Sequence, residues 1–593
     1  MSQVAAEAFP CTVMVFKHTF EGVDYIVAVQ AAGLAIVAIP EEHKVMASAV
    51  DDSPGGVGAL AVLNAAITRA NAFQGGEVYV APGQGNYWVN GPIQMRDDVY
   101  LRGTGNGTKI ILSDGSNTHV IVNQDPVGGN TRFKIGFMFV DANRFNQGVD
   151  PNYGNPIHLK NVVDCSILHV WCQGGYDGGT VATGGHGIYL QLAIQCIVEA
   201  CHLEGNEYSG IDLRNGCYYN TIVACTTLSN GAHGIQIDRT GDAVAECRYN
   251  TVCACTSHDD LSFGIGADDG PDNSFVGNTV YSCTVGIGLI FPNAATCDCV
   301  VADNIIYGNA QAGIEIRGAN CKNAIVVNNT VKGNTRQGIY LWNGASDATI
   351  AFNTCDGNGY DQIQVVTNIS NFSLIGNRCL NAPANYSGIS INDNCDNGYL
   401  LGNTCRGNAR YGIEIESADC GGNRIGDNKL RGNTIGCILD SGTNTELPSI
   451  QIIPDFASAG YAAMVQVHGF LVDAVGEYCT GWAVLPKHLQ EIVRIKIWAR
   501  SVVAEADAMR LNPTVQGGAA GESDATHAYN IVDLPSSTTN FGVGAVIVWT
   551  VPFSSVPLLA AGDCLRISAN YEDAGGADIA TNANIRVFEI EYV

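Results

Sequence analysis

One short pattern constrains this chain more than any other: Gly-Asn, a few loose residues, then Gly-Ile-x-aliphatic. It stands at 333–344 as GNTRQGIYLWNG and returns at 407–417 as GNARYGIEIES. The second glycine recurs at Gly187, Gly210, Gly234, Gly264, Gly286, Gly313, Gly338, Gly388, Gly412 and Gly436, with Gln362 in its place once, at intervals of 22 to 30 residues. A period in the twenties sustained over eleven copies is the signature of a solenoid. Each unit is too short to bury a core of its own and must stack on its neighbours. A second column keeps the same register, with Asn304, Asn329, Asn353, Asn377, Asn403 and Asn428 following Cys201, Cys225, Cys255 and Cys283. Stacked amides satisfy turn backbone that burial would otherwise orphan.

The units read as strands. Val, Ile, Thr and Tyr dominate runs of four to six residues that Gly and Asn punctuate. Neither the leucine spacing nor the helical segment of leucine-rich repeats is present. The expected architecture is all-β: a parallel β-helix of about eleven or more coils, each with three short strands and three turns. Before it, DDSPGGVGALAVLNAAITRANAFQGGEVYVAPG places Asp51 and Asp52 ahead of an amphipathic helix around 57–72 and a strand. That helix is suited to cover the open end of the first coil. GTGNG at 103–107 leads into the strand KIIL rather than a helix, so it reads as a β-turn and not as a phosphate loop.

The motifs quoted resemble those of the pectate-lyase-like right-handed parallel β-helices over roughly residues 49–446. The likeness is greatest to phage tailspike polysaccharide depolymerases and weaker to β-helical mannuronan C5-epimerases. After ILDSGTNTELPSI the repeat stops, and RIKIWARSVV, GAVIVWTVPF and IRVFEIEYV alternate as in an antiparallel sandwich of jelly-roll type. Three regions are therefore expected: a small β-rich segment over 1–48, the β-helix over 49–446, and a sandwich over 447–593. The resemblance implies that the first attaches to a phage tail or baseplate protein and that the last serves trimerisation or carbohydrate binding. Trp482, Trp498 and Trp549 could stack on sugars there, but more often such rings fill a core.

Composition sets limits. A net charge of −27 disfavours nucleic acid and anionic membranes as partners, and no apolar stretch reaches eighteen residues. The first residues, MSQVAAEAFPCTVMVFKH, lack the basic start and apolar run of a secretion signal. Many of the twenty-two cysteines fall at inward repeat positions, where the thiol acts as a small apolar group. TCDC and CAC lack zinc-site spacing. These features suit a virion tail component made in the cytoplasm and released by lysis.

In Gly-Ile-x-aliphatic the two apolar residues point inward, so the second and fourth residues after Gly point outward. One outward column runs through Tyr189, Asp212, Gln236, Gly266, Gly288, Glu315 and Tyr340; the next runs through Gln191, Arg214, Asp238, Asp268, Ile290, Arg317 and Trp342. Carboxylates, arginines and rings in rows make a sugar-binding groove, with the two glycines expected to open a notch. Glycoside hydrolysis needs two carboxyl groups, one protonated and one ionised. Asp238 and Asp268 share a column, Asp212 lies diagonally, and Asp269 follows; these four are the catalytic candidates. Arg214, Arg239, His233, Glu315, Arg317, Tyr340, Trp342 and Tyr189 are the substrate-binding candidates. The plain alternative is an acidic solvated face.

The family motifs are only partly present. YGIEIES carries Glu414 and Glu416 where the epimerases have Asp and His, and DPNYGNP at 150–156 lies off the repeat strands. GADDG at 266–270 and GHG at 185–187 echo polygalacturonase elements in reverse order. The reading is therefore a tailspike-like endo-glycosidase acting on a bacterial surface polysaccharide, assembled as a homotrimer. Alternatives are a lyase or epimerase acting on a uronate polymer, or a glycan-binding adhesin. No metal or other cofactor is expected for hydrolysis; a calcium ion enters only with uronate elimination.

Overall fold

A computed structural model of the chain describes residues 57–446 apart from 81, 83–85, 149–153, 178–183, 240–244 and 293–296. Outside that span it describes backbone strands between 13 and 48 and between 449 and 592. The core is a right-handed parallel β-solenoid. One face is a fourteen-stranded sheet running from Ile93–Met95 to Gly436–Asp440, and from Ile197 onward the other two faces are built from three-residue strands. A typical coil runs Ile211–Arg214, Thr221–Val223, Thr226–Leu228, and each strand pairs in parallel with its counterpart one coil on.

Each corner is turned by the same two-residue device. A residue in the left-handed region bends the chain, and the next side chain points inward and bonds to the following coil. At one corner the bends are Ala254, Gly277, Asp303, Asn328 and Phe352 (φ 53–66°). The side chains after them form a ladder in which Asn304 Nδ2 donates to Asn329 Oδ1 at 2.9 Å and Asn329 Nδ2 to Asn353 Oδ1 at 2.9 Å. At a second corner Gly308, Gly333 and Gly357 bend the chain, and Asn309, Asn334 and Asn358 stack in the same way. The Gly-Asn of the repeat is therefore a bend and a rung: glycine takes the positive φ without strain, and the amide satisfies buried backbone. A third ladder links Asn220, Asn250 and Asn273.

Two local expectations are corrected. Cys283 belongs to the second ladder, since its N–H donates to Asn309 Oδ1 at 3.0 Å, whereas Cys255 donates to Asn278 in the first. The two columns lie five residues apart along each coil, which a single-column reading merges. GTGNG is not a turn between strands but the irregular middle of one strand, Val99–Leu112, whose pairing skips three residues between Gly105 and Lys109.

The helix α1 (Val57–Ala72) buries Ala59, Val62, Leu63, Ala66, Ile67 and Ala70, a helical stripe laid on the first coils. Asn64 ties it down, donating to Pro92 O and accepting from Gln94 N. All nineteen described cysteines are free thiols, and all but Cys253 and Cys437 are buried; burial pushes the Cys283 and Cys395 thiols up to about 12. Four strands between Val13 and Ser48 pair antiparallel in sequence order. Beyond the solenoid, strands from Ser449–Ile452 to Ala583–Tyr592 form two antiparallel sheets. The side chains of Trp482, Trp498 and Trp549 lie outside the described residues.

Candidate functional site

The register aligns the outward columns as the repeat predicts: Tyr189 with Asp212 with Gln236, and Arg214 with Asp238 with Asp268. At their centre one terminal nitrogen of Arg214 lies 2.9 Å from a carboxylate oxygen of Asp212 and 2.9 Å from one of Asp238. His186 Nδ1 stands 3.4 Å from the same oxygen of Asp212. Burial raises the Asp212 carboxyl to about 7 against the opposing pull of Arg214. Asp238 is also raised by burial, with Arg214 opposing. Asp268 makes no ion pair among the described residues; burial, then the charges of Asp238 and Asp269, push it to about 7. The cluster thus separates a carboxylate held by a cation from a carboxyl that keeps its proton near neutrality.

The face is less open than an alternating strand suggests. Asp212, Arg214 and Tyr189 are buried, and Asp238 is only 8% exposed. Rings from the turn before each strand lie over them. His186 stacks on Tyr189 at 4.7 Å and meets the edge of Tyr208, and His233 stacks on Phe263 at 5.3 Å. The expected glycine notch is filled. A Cβ on Gly288 would stand 2.8 Å from the Phe263 ring and one on Gly266 3.3 Å from it, so the two glycines seat that ring. His233 accepts a hydrogen bond from Phe263 N at 3.3 Å, and burial, then Arg214, lowers its pKa to about 4.

Further along the axis the second group of candidates is partly open to solvent around a buried Glu315. Glu315 accepts from Trp342 Nε1 at 2.9 Å and lies 3.4 Å from Arg317, whose guanidinium sits 5.3 Å from the centre of the Trp342 ring. Tyr340 stacks beside Trp342 at 5.6 Å. Arg317, Tyr340 and Trp342 are half-buried, leaving a ring and a cation accessible two to three coils from Asp268. Arg239 faces Glu246 at 3.8 Å, and Asp269 is buried at a left-handed bend (φ 50°). Residues 240–244, between the coils of Asp238 and Asp268, and 150–153 of DPNYGNP lie outside the described residues.

Residue-by-residue alternation misses His186, Tyr208 and Phe263. The glycine that opens each strand breaks the alternation: a Cβ on Gly187 would meet Gly210 O at 2.7 Å and Asn206 Nδ2 at 2.8 Å. The residue before it therefore turns outward. Only the GHG motif signalled His186. A second acidic group lies on the same sheet, where Asp361 is raised by burial to about 7 and buried Glu414 pairs with Arg410 at 2.6 Å. No group of three potential metal ligands occurs among the described residues.

The right-handed β-helix region family matches residues 239–355. Among solved structures, the tailspike of Escherichia coli bacteriophage HK620, in complex with a pentasaccharide, aligns over 92% of this chain and 91% of its own at 13% identity and a TM-score of 0.53. The A-module of an Azotobacter vinelandii mannuronan C-5 epimerase aligns over 66% of this chain and 95% of its own, at 18% identity and a TM-score of 0.34. No curated protein matches the sequence. No described helix is long and apolar enough to cross a membrane. The chain is a right-handed parallel β-helix protein with the architecture of the tailspike.

Proposed function

We propose that this protein cleaves a bacterial surface polysaccharide by endo-glycosidase action, as a tailspike depolymerase does. The observation that carries the reading is the pair on adjacent coils: Asp238, ion-paired to Arg214, beside Asp268, whose carboxyl is pushed to about 7. Asp268 gives its proton to the bridging oxygen as the glycosidic bond breaks. Asp238 acts from the ionised side, as base toward water or as nucleophile. Arg214 and Asp212 hold Asp238 in place from beneath rather than touching sugar. Arg317, Tyr340 and Trp342 bind the chain of sugars along the groove. The fold likeness supports a homotrimer carried on a phage tail, attached through the N-terminal segment.

The deciding experiment incubates the purified protein with a panel of capsular, O-antigen and exopolysaccharides and reads fragment masses. Shortened oligosaccharides gaining one water each support hydrolysis. An unsaturated product absorbing in the ultraviolet assigns a lyase, for which half-buried Tyr340 beside Arg317 supplies a base and a carboxylate neutraliser. Binding without any product leaves an adhesin and sinks the enzymatic reading.

A further inference from the structure

The three faces of the solenoid differ in charge. The long-strand face holds the aspartates, Glu315 and Arg317. The second short-strand face carries His258, Lys332, Asp356, Arg378 and Arg406 at its outward positions. The first short-strand face is different. Eight consecutive strands, from Thr221–Val223 to Tyr399–Leu401, pair in register. Their two outward positions per strand hold no charged residue in any of the eight. The third position reads as an aliphatic column, with Val223, Val276, Val327, Ile375 and Leu401 around Cys253. In the first position Ile325 and Tyr399 are 43% and 47% exposed, and Phe352 at the adjoining corner is 61% exposed.

We infer that this face is where copies of the chain meet side by side. The inference rests on the assembly proposed above and not on the chemistry of the groove. Three observations favour a second copy over another occupant. A chain of net charge −27 repels its own kind, and along the strands of this face two copies meet no like charge, with Asp272, Asp298 and Asp347 set back at the corner along one edge. The column repeats at roughly 4.8 Å per coil, a spacing that an identical solenoid matches along its whole length. Eight coils give a strip about 35 Å long and about 10 Å wide. Side-chain relief and the corner rings of Tyr219, Tyr249 and Phe352 bring it toward the roughly 500 Å² per partner of a specific contact.

Cys253 is a built-in reporter. It lies in the column beside Val276 and is half-buried, as is Cys437 on the last coil. The test alkylates the native full-length protein with iodoacetamide, follows both cysteines by peptide mass spectrometry, and measures mass by light scattering. The expected wild type is multimeric, with Cys253 modified several-fold more slowly than Cys437. Val276→Glu with Val327→Glu should release Cys253 and lower the mass while the far-ultraviolet spectrum holds, since both side chains point away from the core. Thr330→Glu, on the neighbouring face, should change neither. A multimeric wild type with Cys253 as reactive as Cys437 overturns the assignment of this face and leaves the assembly standing. A monomeric wild type overturns both. Protection that persists in the doubly charged variant assigns the cover to a segment of the same chain and overturns the second copy. Where the double variant fails to fold, the wild type is labelled across a dilution series: Cys253 labelling that speeds up as the mass falls supports the face, and a rate independent of the mass overturns it.

Discussion

His186 Nδ1 lies 3.4 Å from Asp212 Oδ2 with both side chains fully buried, and neither ring nitrogen of His186 has a hydrogen-bond partner among the described residues. Burial, then Arg214, holds this imidazole well below its ordinary pKa, so it stays neutral. Two carboxylates then share one arginine, and the cluster balances when Asp212 keeps a proton. Its elevation to about 7 is the physical expression of that balance.

Arg214→Met should therefore destabilise the protein by about 3–5 kcal/mol at pH 8, the scale of an uncompensated buried charge. The loss should shrink at pH 5, where Asp212 and Asp238 take up protons more readily than ordinary carboxyls. Urea unfolding at both values measures it. An unchanged midpoint at pH 8 would show that the guanidinium is solvated.

Asp268→Asn and Asp238→Asn should each lower depolymerisation by at least about a hundredfold. Asp268 must be protonated to act, so wild-type turnover should fall as pH rises through about 7. Asp268→Asn should fold normally; Asp238→Asn should also lose stability, because Arg214 loses one of its two carboxylate partners. Near-full activity in both variants would move the catalytic centre elsewhere on the sheet.

Asp361 offers a stability test apart from the proposed chemistry. Its folded pKa, raised by burial to about 7, stabilises the protein at low pH, and that contribution is lost as pH rises through 7. Asp361→Asn should therefore raise the unfolding free energy at pH 8, by roughly 2–4 kcal/mol, and make little difference near pH 4. An equal shift at both values would sink the linkage.

Asn353 donates to Val326 O at 2.9 Å and to Asn377 Oδ1 at 3.1 Å. Asn353→Leu should cost about 1–3 kcal/mol through the partners it strands. Turnover at low temperature should survive, since this corner is away from the groove. Thermal unfolding alongside an activity assay separates the two.

Trp342→Ala should raise KM about tenfold with kcat little changed, as expected for a ring that binds substrate and transition state alike. A fall in kcat with KM unchanged would place the ring at the reacting bond.

The coil, the period and the pairing of outward columns were legible because a parallel solenoid repeats them at every turn. Asp238 faces Asp268 because both stand four residues after a glycine. Depth was not legible. Alternation says that Asp212 points away from the core, but His186 and Tyr208 pack against it from bends where alternation lapses. The merging of Cys283 with the wrong ladder has another root: two ladders run five residues apart along each coil, and a single column does not tell them apart.

The amide ladders also set how the molecule yields to force. Every rung ties one coil to the next at a step such as the 24 residues between Asn329 and Asn353, so the load passes mainly between adjacent coils. Pulled along its axis, the solenoid should peel one coil at a time, each rupture paying out roughly 80 Å of chain. A rod built this way fails from its ends and keeps its middle, where the aspartates sit, intact the longest.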